Sequence, residues 1–178
     1  MKYCLCFLLL ALSWAARAQT VPIFLPPVDS TSGLIAHQAV VKVPDASQAE
    51  LYRRAREWFA STFTGYKEVV SVEDPAGGEM AGTYHSVTDS YLLLTNYPYE
   101  LWRTLHVYVK EGRYRYELTN FSVRDITYDR QRYLLNRASP RDMRRYGRVI
   151  NQQATQDIAS LTAAMSKPTG GTGNAMDW

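Results

Sequence analysis

The feature that most constrains the fold is an alternation of side chains over residues 101–123, interrupted at its centre by Glu111-Gly112. Glycine at the second turn position tolerates the positive φ that a two-residue hairpin requires. One side of the resulting pair of strands is apolar, with Leu105 opposite Leu118, Val107 opposite Tyr116 and Val109 opposite Tyr114. Because a slip of one residue would turn this side over, the pattern predicts an antiparallel hairpin of fixed register.

The other side of the same hairpin is mixed, and it pairs Tyr108 with Arg115, His106 with Glu117, Thr104 with Thr119 and Trp102 with Phe121. Each of these combinations is favourable across two strands, by roughly 0.2 to 1 kcal/mol. We therefore expect a sheet with one apolar face and one aromatic and polar face.

Two amphipathic helices are predicted, one near the start and one near the end of the domain. Ser47 and Glu50 have the spacing of a capping box, in which each side chain reaches the other residue's amide, and Gly65 ends this helix. Its apolar residues recur every three or four positions: Leu51, Ala55, Trp58, Phe59, Thr62 and Phe63. Its charged residues should turn away: Arg53, Arg54, Arg56 and Glu57.

The second helix is expected to begin at Ser139-Pro140, with serine as the N-cap and proline at the first helical position, and to run to about Met165. Its inner stripe comprises Met143, Tyr146, Ile150, Ala154, Ile158, Leu161 and Met165. The apolar face of each helix is wide enough to lie on a sheet.

The remaining strands are predicted from β-branched runs bounded by turn residues. We expect a first strand at residues 34–43, a hairpin from residues 69–72 to 79–87, and a short edge strand within residues 89–99, with residues 125–138 mostly connection. The order of elements predicts an α+β fold: a single curved antiparallel sheet of about five strands, with two helices on one face.

The first 18 residues are predicted to be a signal peptide. Lys2 precedes an apolar run at residues 3–14, and Ala16 and Ala18 form a cleavage site for signal peptidase. The run is shorter than the roughly 20 residues that a membrane span needs, so no transmembrane segment is expected after cleavage. We expect export to the periplasm or cell surface of a Gram-negative bacterium.

Cleavage would leave an extended lead-in at residues 19–33, a single domain at residues 34–166 and a flexible tail at residues 167–178. Both cysteines, Cys4 and Cys6, leave with the leader, so the mature chain should have no disulfide or thiol chemistry. The leader also removes Lys2 and Arg17, which lowers the 20 basic residues to 18 against 17 acidic ones. A nearly neutral chain lacks the phosphate-binding charge that nucleic acid requires, so we expect no nucleic-acid partner.

Several segments resemble a family of exported Bacteroidota-type proteins that carry a domain of unknown function with a TATA-binding-protein-like (TBP-like) fold. The similar segments are residues 27–35, 40–44, 50–59, 78–83 and 107–116, within about residues 25–125. The tyrosine-rich residues 89–99 and the arginine-rich approach to the last helix depart from it. The resemblance implies the TBP-like fold and no catalytic residue.

Two surfaces are candidate binding sites. Seven arginines lie between residues 129 and 148 against Asp129 and Asp142: Arg130, Arg132, Arg137, Arg141, Arg144, Arg145 and Arg148. The last four lie opposite the apolar stripe of their helix, where they form either a solvated or internally paired face or a site for phosphate or carboxylate groups. The second surface is the sheet face with Trp102, His106, Tyr108, Arg115 and Phe121, which is either open for binding or covered by a loop or the N-terminal segment.

The three histidines are the candidate catalytic and metal-binding residues. His37, His85 and His106 fall on different strands without the ligand spacing of a metal site, so we expect no metal and no cofactor. His106 opposite Glu117 is either a solvated pair or a general base oriented by a carboxylate.

We therefore expect a non-enzymatic binding or interaction module of the bacterial envelope, with an envelope protein, a glycan or an anionic lipid head group as partner. The alternatives are a small hydrolase that uses His106 and Glu117, and an accessory protein for envelope assembly. The oligomeric state stays open.

Overall fold

A computed structural model describes residues 25–92, 95–128, 130–135 and 140–167. The predicted leader, Asp129, Arg137 and most of the predicted tail lie outside these residues. The strands are β1 (His37–Lys42), β2 (Val70–Asp74), β3 (Glu79–Leu92), β4 (Thr95–Lys110), β5 (Arg113–Asp125) and β6 (Tyr133–Leu134). The helices are α1 (Gln48–Thr62), α2 (Tyr66–Val69) and α3 (Pro140–Met165).

All the strands belong to one antiparallel sheet. Its order is β1-β5-β4-β3-β2, and the short β6 pairs with the far end of β5. The predicted α+β architecture is confirmed, with six strands in place of about five. The predicted hairpin is β4–β5, which lies at the centre of the sheet.

Helices α1 and α3 cover the same face of the sheet. Their apolar stripes share one core with apolar residues of β4 that include Leu101, Leu105, Val107 and Val109. Trp58 Nε1 on α1 donates to Ser160 Oγ on α3 at 3.0 Å and joins the two helices, and the Tyr114 hydroxyl on β5 donates to Thr162 Oγ1 at 3.2 Å and joins the sheet to α3. The other face of β4 is therefore the one that these helices leave open.

The start of α1 is partly as predicted. Ser47 accepts a hydrogen bond from the Glu50 amide at 3.2 Å, which confirms the N-cap. The predicted return bond from Glu50 is wrong, because its carboxylate binds Arg53 and Arg54. The outward placement of Arg54 is also wrong, since this side chain is buried and donates to the carbonyl of Met165 at 2.7 Å. The guanidinium of Arg54 therefore links α1 to the end of α3.

Helix α1 ends at Thr62, earlier than the predicted stop at Gly65, which instead precedes the single turn of α2.

The expected edge strand within residues 89–99 is wrong. Residues 89–92 extend β3 and residues 95–99 extend β4, and the two pair from Asp89 opposite Pro98 to Leu92 opposite Thr95. These residues prolong the β3–β4 hairpin, whose strands have 14 and 16 residues, and Pro98 gave the stretch the sequence pattern of a loop. The sheet edges are formed by β1 and β2.

Candidate functional site

The open face of the sheet is built by the alternation of β4. Trp102, Thr104, His106 and Tyr108 are half-buried, and they alternate with fully buried side chains that point to the helices. Successive side chains of a strand point to opposite faces, so these four form a line along the open side. Of the residues that the sequence placed on this face, Trp102 and Tyr108 are half-buried and Arg115 is exposed.

Phe121 does not belong to this face, and its predicted pairing with Trp102 is wrong. The predicted register holds from Lys110–Arg113 to Thr104–Thr119, but beyond it Trp102 pairs with Ser122. The shift is a β-bulge at Asn120, whose φ is 55°. The extra residue turns the side chains that follow it in β5 to the opposite face of the sheet. Phe121 is therefore completely buried, and its ring lies 5.9 Å from the His37 ring between centroids.

Trp102 lies between two partners on the open face. The ring of His85, directly opposite on β3, stacks on it at 4.3 Å between centroids. From the β5–β6 side, the guanidinium of Arg132 lies 4.8 Å from the indole centroid. The indole Nε1 donates to Glu100 at 2.7 Å. This residue is held in place by its neighbours, which limits the indole surface left for a ligand.

Glu100 is a buried carboxylate beside Trp102. Arg124 donates to both of its oxygens, at 2.8 and 2.6 Å. These hydrogen bonds, with that from Trp102, lower the pKa of Glu100 to about 2 despite its burial. The carboxylate is therefore charged at neutral pH and supports Trp102.

His106 and Tyr108 form a second aromatic pair, with parallel rings 5.9 Å apart. The Tyr108 hydroxyl and the Glu79 carboxylate each lie 3.3 Å from His106 Nδ1. Burial raises the pKa of Tyr108. On the β5 side, the Arg115 guanidinium lies 5.7 Å from the Tyr108 ring centroid.

His106 and Glu117 are directly opposed, as predicted, but their side chains share no hydrogen bond among the described residues. Glu117 accepts from Arg115 at 2.8 Å, and the carboxylate nearest to the imidazole belongs to Glu79. A carboxylate occupied by an arginine does not orient the imidazole as a general base.

The arginines of α3 lie apart from the open face. Arg144, Arg145 and Arg148 are exposed, as predicted, whereas the side chain of Arg141 lies outside the described part of the chain. Arg145 lies over the Tyr146 ring at 5.3 Å, and together with Arg130 it borders a cavity of about 80 Å³. Arg132 leaves the predicted cluster altogether, since it stacks on Trp102.

A larger cavity, of about 390 Å³, opens at the end of the sheet near the β4–β5 turn. Its lining comprises Val40, Tyr108, Lys110, Arg113, Tyr114 and Arg115. Val40, Lys110 and Arg113 were not among the site residues predicted from the sequence. The opposition of Lys110 and Arg113 follows from the hairpin register, but the neighbourhood of Val40 depends on the long-range pairing of β1 with β5.

Within the described ranges, no group of three or more histidine, cysteine or acidic side chains is placed to hold a metal ion. None of the helices described there has the length and apolarity to cross a bilayer.

Comparison with known proteins identifies the fold. Residues 37–124 match the family described as a domain of unknown function (DUF4468) with TBP-like fold. A crystal structure of a DUF4468 family protein from Bacteroides ovatus is similar, with a TM-score of 0.65 and 18% identity over 85% of this chain and 95% of that one. A TBP-like protein from Parabacteroides distasonis has a TM-score of 0.60 and 11% identity over 79% of this chain and 97% of that one. No curated protein matches the chain.

Proposed function

We propose that this chain, whose residues 37–124 match the DUF4468 family model, is an exported, non-enzymatic module that binds a polysaccharide along the open face of its sheet. The observation that carries the proposal is the line of half-buried aromatic and polar side chains on β4, on the face opposite α1 and α3.

The length of this face suits an extended polymer. Strand β4 has 16 residues, which span roughly 50 Å at about 3.3 Å per residue. The aromatic residues Trp102, His106 and Tyr108 follow one another along this line. A ligand that contacted both Trp102 and Tyr108 would extend over about 20 Å.

The polarity of the face favours a sugar chain over a protein partner. Between the aromatic residues lie threonines, and the hydroxyls of Thr83 and Thr104 lie 3.0 Å apart. The exposed aliphatic residues of the face, Val40, Val87 and Leu134, are on three different strands, β1, β3 and β6. Protein interfaces usually have a contiguous apolar centre, whereas hydroxyl-rich ligands need many polar partners.

The non-enzymatic part of the proposal is supported by the partners of the two candidate catalytic groups. His106 contacts Glu79 and Tyr108, and Glu117 binds Arg115.

The binding function can be tested by affinity electrophoresis of the mature chain, residues 19–178, through gels that contain dextran, mannan, xylan or polygalacturonate. We expect retardation by at least one polymer, and a loss of affinity of about three- to tenfold in Tyr108→Ala, because one aromatic contact is removed. Tyr128→Ala removes an exposed tyrosine from a loop and should bind as the wild type does. Absence of retardation by all four polymers, or equal effects of the two variants, would contradict the proposal.

Export can be tested separately by deleting residues 1–18 and fractionating the cells. We expect the truncated protein in the cytoplasm and the full chain outside it, because the leader is the signal for transport. Export of the truncated protein would contradict this part of the proposal.

A further inference from the structure

Three cationic side chains lie in a row across the end of the open face. Lys42 on β1 is directly opposite Arg113 on β5, which in turn is directly opposite Lys110 on β4. We call these three residues the cation row. All three are exposed, and directly opposed residues have their Cβ atoms only about 4.5–5.5 Å apart.

The cation row is not neutralised within the described residues, where no ion pair involves any of its members. Glu111, in the adjoining turn, accepts a hydrogen bond from the amide of Gln48 at 3.1 Å. Glu117, further along β5, is bound by Arg115. Like charges directly opposite each other destabilise a sheet, so the row has a cost in the free protein that an anion would relieve.

The neighbouring residues provide a surface for the rest of a ligand. One step along each strand on the same face are Val40, Arg115 and Tyr108, which are also directly opposed. Together with Lys110 and Arg113 they border the cavity of about 390 Å³. This volume lies within the range of about 300–1,000 Å³ that is usual for small-ligand sites. A charged end and an aromatic wall therefore meet in one cavity.

We infer that the cation row binds an anionic group, a carboxylate or a sulfate ester, on the polysaccharide held by the open face. This inference rests on the proposed function and adds the charge of the ligand. The guanidinium of Arg113 can donate two parallel hydrogen bonds to either group, and the two flanking ammonium groups supply charge without fixed direction. The sugar ring next to the anionic group lies against Tyr108 and Val40.

The test compares two variants that lose the same charge. The row variant carries Lys42→Gln, Lys110→Gln and Arg113→Gln, and the control variant carries Arg144→Gln, Arg145→Gln and Arg148→Gln. All six side chains are exposed, so both variants should fold, which circular dichroism can verify. Any attraction due to net charge alone falls equally in both.

The probes are polygalacturonate and its fully methyl-esterified form, and dextran sulfate and dextran. Each pair shares a backbone and differs in its anionic groups, so the two pairs separate carboxylate from sulfate ester. For at least one acidic polymer we expect an affinity loss of about tenfold in the row variant, and less than about twofold in the control variant.

Three results would overturn the inference: equal losses in both variants, a loss confined to the control variant, or no binding of either acidic polymer. The two uncharged polymers, methyl-esterified polygalacturonate and dextran, separate failure of this inference from failure of the proposed function. If the esterified polymer or dextran binds as tightly as its acidic partner and Tyr108→Ala weakens it, the open face binds sugar and the role of the cation row is refuted.

Discussion

The guanidinium Nε of Arg103 lies 2.6 Å from Oδ2 of Asp157, and this ion pair joins the middle of β4 to α3 inside the core. Arg103 is only 3% exposed and also lies over the ring of Tyr84, 4.5 Å from its centroid. The Tyr84 hydroxyl donates to the same carboxylate oxygen at 2.9 Å. Three side chains from β3, β4 and α3 therefore share one buried charge network.

We expect Asp157→Ala to lower the free energy of unfolding by about 3 to 5 kcal/mol, because Arg103 would be left as a buried charge without its partner. Urea denaturation monitored by circular dichroism measures this change. The double variant Arg103→Met with Asp157→Leu should recover most of the loss, since the network would be replaced by apolar contacts. A loss below about 1 kcal/mol in Asp157→Ala would show that the pair does not hold α3 on the sheet.

Acid should destabilise the protein partly through Glu100. Its pKa in the folded chain is about 2, below the ordinary value of 4.5, so its contribution is complete above about pH 4.5 and is lost as the pH falls towards 2. We expect Glu100→Gln to be less stable at neutral pH, because Arg124 and Trp102 lose a charged acceptor. Its stability should then fall less steeply than that of the wild type between pH 5 and 2. Urea midpoints at pH 5, 4 and 3 measure how steeply the stability of each protein falls with pH. Equal slopes for the wild type and Glu100→Gln would contradict the lowered pKa of Glu100.

The bulge that buries Phe121 depends on the backbone of Asn120. At a φ of 55°, a β-branched side chain is strained, whereas glycine is not. We expect Asn120→Val to lower the free energy of unfolding by about 1 to 2 kcal/mol, and Asn120→Gly to change it by less than about 0.5 kcal/mol. Equal thermal stability of the two variants would show that this conformation is not required.

The same bulge marks the limit of what the sequence predicts. The alternation of residues 101–123 and the turn glycine determine the register as far as Thr104 and Thr119, because each step depends on local pattern. Asn120 carries no apolar or charged signal that a residue is inserted there. Trp102, Tyr108 and Arg115 could therefore be assigned to the open face, whereas Phe121 could not be assigned correctly.

Contacts between distant parts of the chain explain the other placements that the sequence did not predict. Lys42 becomes part of the cation row only because β1 lies next to β5, 71 positions away along the chain at this pair. Arg54 is buried because the end of α3 supplies a carbonyl group for it. Helical periodicity places both helices on a core but says nothing about partners that arrive from distant elements.

The cation row should reduce the stability of the free protein. We expect Lys110→Glu to raise the free energy of unfolding by about 0.2 to 1 kcal/mol at low salt, because Arg113 would gain an opposed carboxylate. The gain should shrink at 0.5 M salt, where exposed charges are screened. Urea denaturation at both salt concentrations provides the comparison, and a destabilised variant would contradict the unfavourable opposition of Lys110 and Arg113.

The most direct test of the open face as the binding surface is an NMR titration of the isotope-labelled mature chain with a short oligosaccharide of the acidic polymer that binds, trigalacturonate for polygalacturonate or sulfated isomaltotriose for dextran sulfate. We expect the largest amide shifts to map to β1, β4 and β5 around Val40, Tyr108 and Arg113, with α1 and α3 little changed. Shifts centred on α3 near Arg144 and Arg148, or no shifts at all, would contradict it.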